Sequence, residues 1–513
     1  MTATISNTDA AQTISRLHTD LFIDGQWRPA TSGATFTVDN PATGEPLAVV
    51  ADGGADDARA ALQTAADRQA EWAATSPRSR SEILYRAYQI IMERVDEIAS
   101  VMTAEMGKPF AEAKGEVAYG AEFFRWFAEE AVRIGGDHTV TGDGANRIVV
   151  SKQPVGPCIL VTPWNFPIAM GTRKIGPAVA AGCTMVFKPA ELTPLTALLL
   201  TDILTEAGLP DGVLNVVTTS DPGTVVGEWM TSGKARKVSF TGSTEVGKIL
   251  LGQAAGTVMR TSMELGGNAP FIVCADADID RAIDGVLVAK MRNMGQACTA
   301  ANRIFVHRAV LEEFTSKLGA RMSGLVVGDG SRDGTQVGPL VEQKAVDKVT
   351  TLVADAVDRG ARVVCGGERP DGAGHFYPPT VITGVDPAAD LMHTEIFGPV
   401  AAIIPFGTTD SDDDSSDSVV SDNASADDAE VLRLANDTPW GLVGYLFTQD
   451  IDRADRLSDQ LQVGMVGVNT GLVSNPAAPF GGIKQSGLGR EGGRLGIEEF
   501  LDIKYVARPI AKR

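Results

Sequence analysis

The segment GQACTAANR, at 295–303, sets Cys298 between a glycine-flanked turn and a run of small residues. A thiol so placed is either a nucleophile or a small buried hydrophobe that contains sulfur. Use as a nucleophile asks for activation of the sulfur, donors for the negative charge that forms on its target, and a carboxylate for any later hydrolysis. The chain offers each. MELGGNAP places Glu264 before a double glycine, where the backbone can turn tightly and approach a ligand. VTPWNFP places Asn165 just past the end of a predicted strand, the end at which ligands sit in open α/β sheets. MGTRK carries Arg173, KMRNMGQAC carries Arg292, and NTGLVSNPAAPFGG carries Ser474. Two guanidiniums and a hydroxyl converging on one pocket would hold a carboxylate; the alternative is that both arginines are ordinary surface or ion-pair residues.

These residues need elements to position them. LFIDGQWRPA, at 21–30, predicts a short hairpin with a DG turn, and apolar recurrence at three and four predicts helix from about Asp56 to Val132. CILVTP, TMVFKPA, VLNVV and KVSFTG are short apolar runs separated by Ala/Leu-rich helical stretches. Strand, helix, strand at this spacing means βαβ units on a largely parallel sheet. A second series begins at PFIVCADADIDRAIDGVLVAK, with a domain boundary near Glu264. The expected division is a dinucleotide-binding domain over 21–145 and 157–263, a catalytic domain over 264–485, and a β arm from 146–156 and 486–513. Apolar β segments such as NRIVVSKQPVG and EFLDIKYVARPI want an edge to pair with, which suggests a homo-oligomer. The Asp/Ser-rich stretch at 408–430 has no Lys or Arg and predicts a mobile surface insertion; it lacks the ligand spacing of a Ca²⁺ loop.

The 513 residues suggest two or three domains, and the formal charge of −20 speaks against a nucleic-acid partner. Five sparse cysteines, in no CxxC or histidine-rich pattern, fit a reducing compartment rather than a disulfide or metal framework. No stretch is apolar for the roughly 18 residues that a membrane span needs, and a cytoplasmic location is expected.

Taken together and in order, VTPWNFP, FKPAELTP, FTGSTEVG, MELGGNAP, GQACTAANR, EIFGPV and PFGGIKQSGLGREG resemble the aldehyde dehydrogenase superfamily. The resemblance runs from about residue 21 to the end, the acidic stretch apart. It implies an α/β chain with a Rossmann-like cofactor domain, a second α/β catalytic domain and a β oligomerisation arm, assembled as a homodimer or homotetramer. It implies Cys298 as nucleophile, Asn165 as oxyanion donor and Glu264 as the base that activates the hydrolytic water. For the cofactor it implies Trp164, Lys188, Glu191, Gly242, Ser243, Leu265, Glu395 and Phe397, with free N–H groups at Gly242 and Ser243 for the pyrophosphate. Lys174 and Glu491 match a remote pair associated with proton movement. A carboxylate at Glu191 can accept from the 2′-hydroxyl of NAD and would repel the 2′-phosphate of NADP, so NAD is expected to be preferred, with NADP possible. GTRK, MRNMGQAC and NTGLVS further resemble the succinic-semialdehyde dehydrogenases, which implies a semialdehyde substrate whose carboxylate meets Arg173, Arg292 and Ser474. Glutaric or another ω-carboxy aldehyde stays an alternative, as does a non-catalytic descendant. Ala300 stands where several relatives carry a second cysteine, so no neighbouring-thiol switch is expected.

Overall fold

The computed structural model describes residues 7–408 and 418–511, the side chains of 7–9 and 418–424 excepted. The hairpin forms as its DG turn demands: Leu21–Ile23 pairs antiparallel with Gln26–Arg28, and Asp24 and Gly25 take the left-handed conformation of the tight connection. It edges an eight-stranded sheet. Inside it, Leu214–Val216, Met185–Lys188, Cys158–Val161, Lys237–Thr241 and Arg260–Glu264 lie side by side in parallel. These inner strands are buried along nearly their whole length, as expected of a sheet covered on both faces. The helices Ala55–Ala74, Pro77–Glu93, Val95–Met106 and Phe110–Ala131 fill the predicted helical stretch.

A seven-stranded sheet forms the second half. Thr380–Thr383, Val400–Phe406, Ala301–His307, Ala269–Val273, Val443–Phe447 and Met465–Val468 run parallel, with Arg362–Cys365 antiparallel at one edge. Glu264 ends the last parallel strand of the first sheet, and Ala269 begins the second after a five-residue step.

The arm is a three-stranded sheet, and its bounds differ from those expected. Asp137–Val140, assigned above to the dinucleotide-binding domain, pairs with Asn146–Pro154, which pairs in turn with Leu501–Pro509. The tail therefore finds its edge within its own chain. Gly487–Leu488, assigned to the arm, instead closes the first sheet against Met263 and Glu264.

The acidic stretch also departs from expectation. Residues 409–417 lie outside the described residues, but a helix spans Ser418–Asn436. Its second half is docked rather than mobile: Asp427 bonds the His307 ring at 3.0 Å, and Asp428 pairs with Arg453 and, at 3.1 Å, with Arg456. Val431, Leu432 and Ala435 join the core. Local composition hides this because the basic partners stand on strands and helices far away in sequence.

Candidate active site

The loops at the carboxyl ends of the first sheet face the start of the second, and a cavity of about 680 Å³ lies between them. Trp164, Asn165, Lys188, Glu191, Gly242, Ser243, Glu264, Leu265, Cys298, Glu395 and Phe397 all line it. The two halves thus bring every expected cofactor and catalytic residue to one space.

At one end, Lys188 Nζ donates to Glu191 Oε2 at 2.8 Å, and Lys344 further favours the ionised carboxylate. Ser243 caps the helix Thr244–Ala255 by accepting from the Val246 amide at 3.3 Å. Gly242 does not supply the free donor expected of it, because its N–H is committed to the Glu264 carbonyl at 3.1 Å. Its place is set by packing: a Cβ there would fall 2.4 Å from the Phe240 ring. Midway, Glu395 accepts from the Gly267 amide at 3.2 Å, and burial pushes its carboxyl up to about 7. Trp164 meets Phe397 edge to face at 5.5 Å, with Phe397 itself held in the left-handed region.

At the other end lie the sulfur and its neighbours. Burial pushes the Cys298 thiol up to about 12; the charges of Glu395 and Glu264 push the same way, and those of Arg173 and Arg292 oppose it. Glu264 is 2 % exposed, neither carboxylate oxygen has a hydrogen-bond partner, and burial with the charge of Glu491 holds its carboxyl well above the usual range. A buried carboxylic group with both oxygens free has room to bond a water. Asn165 Nδ2 donates to the Gln296 carbonyl at 3.0 Å, which ties the amide to the cysteine loop and leaves its second N–H for an oxyanion.

Arg173 is buried on the helix Pro167–Ala181, ion-paired through Nε with Glu491 and 4.4 Å above the Phe480 ring, while its Nη2 has no partner. Arg292 donates to Ser474 Oγ at 3.3 Å and lies 4.7 Å over Phe166. Arg173 is thus an ion-pair residue, though a buried one, and Arg292 is half-buried with no carboxylate partner among the described residues. Between them stands Tyr119, a residue the sequence reasoning missed: its ring is 5.6 Å from the Arg292 guanidinium, and both arginine charges act on its phenol.

A buried scaffold was missed as well. Lys108 bonds Glu116 and donates to the Asn165 carbonyl at 2.9 Å; Glu116 accepts from the Ile168 and Ala169 amides at 3.1 and 3.3 Å, capping the arginine-bearing helix. Asn293 Nδ2 reaches the carbonyls of Asn165 at 2.9 Å and Gln296 at 3.0 Å, while Glu112 accepts from its backbone amide. Asn293 and Met294 are both left-handed, a conformation that costs on the order of 1–3 kcal/mol per residue and persists only where such contacts enforce it. Nothing in MGKPF or AKGEV marks these charges as buried, since burial of a charged pair depends on what packs over it.

The chain matches the aldehyde dehydrogenase family over residues 27–414 and 418–506. A succinate-semialdehyde dehydrogenase of Paenarthrobacter nicotinovorans is 52% identical over 460 residues, covering 90% of this chain and 98% of that one. The NADP(+) succinate-semialdehyde dehydrogenase of Escherichia coli is 47% identical (94% and 96% covered), and a glutarate-semialdehyde dehydrogenase of Pseudomonas putida is 46% identical (94% and 96%). Among solved structures, succinate-semialdehyde dehydrogenase from Burkholderia pseudomallei superposes with a TM-score of 0.92 at 46% identity, covering 97% of this chain and 99% of that one. The chain belongs to the aldehyde dehydrogenase family.

Proposed function

We propose that the protein oxidises succinic semialdehyde to succinate with a nicotinamide dinucleotide. The observation that carries the substrate is the pairing of a buried guanidinium, Arg173, and a half-buried one, Arg292, with Ser474 in a protein of charge −20, close enough to the thiol for both charges to act on it. A carboxylate held there presents an aldehyde carbon at the far end of a short chain, within reach of Cys298.

Cys298 attacks that carbon, and the Asn165 amide with the Cys298 backbone N–H takes the oxyanion; such preorganised donors contribute several kcal/mol in the transition state. When bound, the dinucleotide supplies the acceptor for the hydride that leaves. Lys188 and Glu191 would hold its adenosine ribose, Ser243 and its helix N-terminus would face the pyrophosphate, and Glu395 would hold the nicotinamide ribose. Trp164, Leu265 and Phe397 would exclude water around the ring. The thioester left on Cys298 is hydrolysed by a water that Glu264 deprotonates. The Glu191 carboxylate, fixed by Lys188, favours NAD over NADP by charge. The exposed tail strand suits a homodimer or homotetramer.

Reduced-nicotinamide formation tests the reading, with succinic semialdehyde, glutaric semialdehyde and an uncharged aliphatic aldehyde, each with NAD and NADP. Preference for the carboxylated aldehydes is expected. Equal turnover of the uncharged aldehyde would sink the arginine pocket. The identity to a glutarate-semialdehyde enzyme supports a second substrate one methylene longer, since a methylene rarely discriminates by more than about 1–3 kcal/mol.

A further inference from the structure

The helix Gln343–Asp358 packs Val346, Val349, Leu352 and Val353 into the core of the second sheet. Its first turns also form part of the cavity wall, where Glu342, Lys344, Ala345 and Lys348 line the space across from the first sheet. Lys344 and Lys348 are four residues apart and so share one side of the helix. Each acts on one of the two carboxylates proposed above for the riboses. At Glu191 burial works against the charge, and Lys188 and Lys344 outweigh it, which leaves the carboxyl below its ordinary value. At Glu395 burial pushes the carboxyl up, and the Gly267 amide and Lys348 oppose the push.

Lys344 stands apart from the other charges. A cation in the first turn of a helix opposes the macrodipole, and this turn holds no acidic residue, while Glu342 at the N-cap position makes no side-chain bond to its amides. Lys188 is committed to Glu191 at 2.8 Å, whereas the exposed Lys344 has no ion-pair or hydrogen-bond partner among the described residues. A lysine of that kind is usually a solvated surface group. Here it sits against the dipole, in the wall of the nucleotide cavity, where the fold gains nothing from it. The charges that line this end are Lys188 and Lys344 against Glu191 and Glu342, so the end is neutral as it stands. Without Lys344 it would be negative, and a phosphate monoester of charge about −2 would be repelled.

We infer that Lys344 is the residue that admits NADP beside NAD: from across the cleft its ammonium meets the 2′-phosphate and offsets the repulsion by Glu191. The 2′-hydroxyl of NAD needs no such cation. Glu191 therefore sets the preference between the two dinucleotides, and Lys344 limits how strong that preference becomes. The inference rests on the proposed function, because that reading puts the adenosine ribose at Lys188 and Glu191.

The test titrates the full-length protein calorimetrically with adenosine 5′-monophosphate and with adenosine 2′,5′-bisphosphate, two probes that differ by the 2′-phosphate alone. Lys344→Met should raise the bisphosphate-to-monophosphate ratio of Kd about tenfold, the order expected for losing one close charge contact. Lys344→Arg should keep the wild-type ratio. That ratio should climb with added salt in the wild type and climb less in Lys344→Met, since screening removes what the variant already lacks. Loss of a cation from the first turn should leave Tm unchanged or raised, so weaker binding is not loss of fold. In turnover, Lys344→Met in a Glu191→Ser background should lower the NADP/NAD ratio of kcat/KM by about the same factor. An unchanged ratio of Kd in Lys344→Met overturns the inference. Equal weakening of both probes overturns it as well, because the lysine would then serve the adenosine site at large. A wild-type protein that binds neither nucleotide refutes the dinucleotide reading itself, a result distinct from an unchanged ratio in the variant.

Discussion

The thiol of Cys298 is held protonated, pushed up to about 12 chiefly by burial. Its alkylation by iodoacetamide should therefore climb about tenfold per pH unit through the neutral range, because the thiolate is the reactive form. A plateau below pH 8 would show that Arg173 and Arg292 outweigh burial. Glu264 gives a second pH dependence with a definite sign. Its carboxyl is raised and must be ionised to act as base, so acyl-enzyme hydrolysis should increase as pH rises through that raised value. Glu264→Gln should leave the first turnover and stop the second, measured by rapid mixing. At the adenosine end, Glu191→Ser removes the carboxylate that Lys188 holds and should move the NADP/NAD ratio of kcat/KM upward about tenfold or more, since one close like-charge contact is worth upwards of ~1 kcal/mol. That these residues share one cavity could be read in sequence because each sits in a short motif at the end of a predicted strand or in the loop after it. Gly242 misled because a glycine before a helix suggests a free N–H, whereas parallel pairing had already spent it on Glu264.

At the scale of elements, two loops approach from different sheets and must keep Asn165 and Cys298 in register. Lys108 and Glu116 do this from one side and Asn293 from the other. Lys108→Met would leave Glu116 as a buried unpaired charge, a loss of about 3–5 kcal/mol. Thermal unfolding should show it as a clear drop in Tm, with kcat reduced in whatever remains folded. An unchanged Tm would mean that Glu116 is not ionised there. The strands and helices themselves could be anticipated, since apolar runs of four or five residues between helical periods leave few other folds. The scaffold could not be, because Lys108, Glu112 and Glu116 look like solvated helix charges until the Asn165 and Asn293 loops close over them. The helix Ser418–Asn436 illustrates the same limit, as its acidic residues find Arg453, Arg456 and His307 only in three dimensions.

For the whole molecule, the strand Leu501–Pro509 pairs with Asn146–Pro154 yet leaves Ile503, Tyr505 and Val506 exposed at 71%, 58% and 43%. A row of apolar side chains on a projecting strand is a surface that expects a second copy of the chain. If the chain assembles through this strand, as we propose, Ile503→Lys with Tyr505→Lys should lower the mass read by light scattering after size exclusion, while the fold survives because the backbone pairing is untouched. No change in mass would place the interface elsewhere.

The first sheet is completed by Gly487–Leu488, more than two hundred residues further along the chain than the strand ending in Glu264 against which it lies. A ribosome must therefore release nearly the entire polypeptide before that edge can be closed. Until then the growing chain holds a parallel sheet with an open seam beside Glu264. Synthesis of this enzyme should accordingly depend on whatever shelters an unfinished sheet, and a stop codon even 30 residues early would yield a chain that lacks that edge and Glu491 alike.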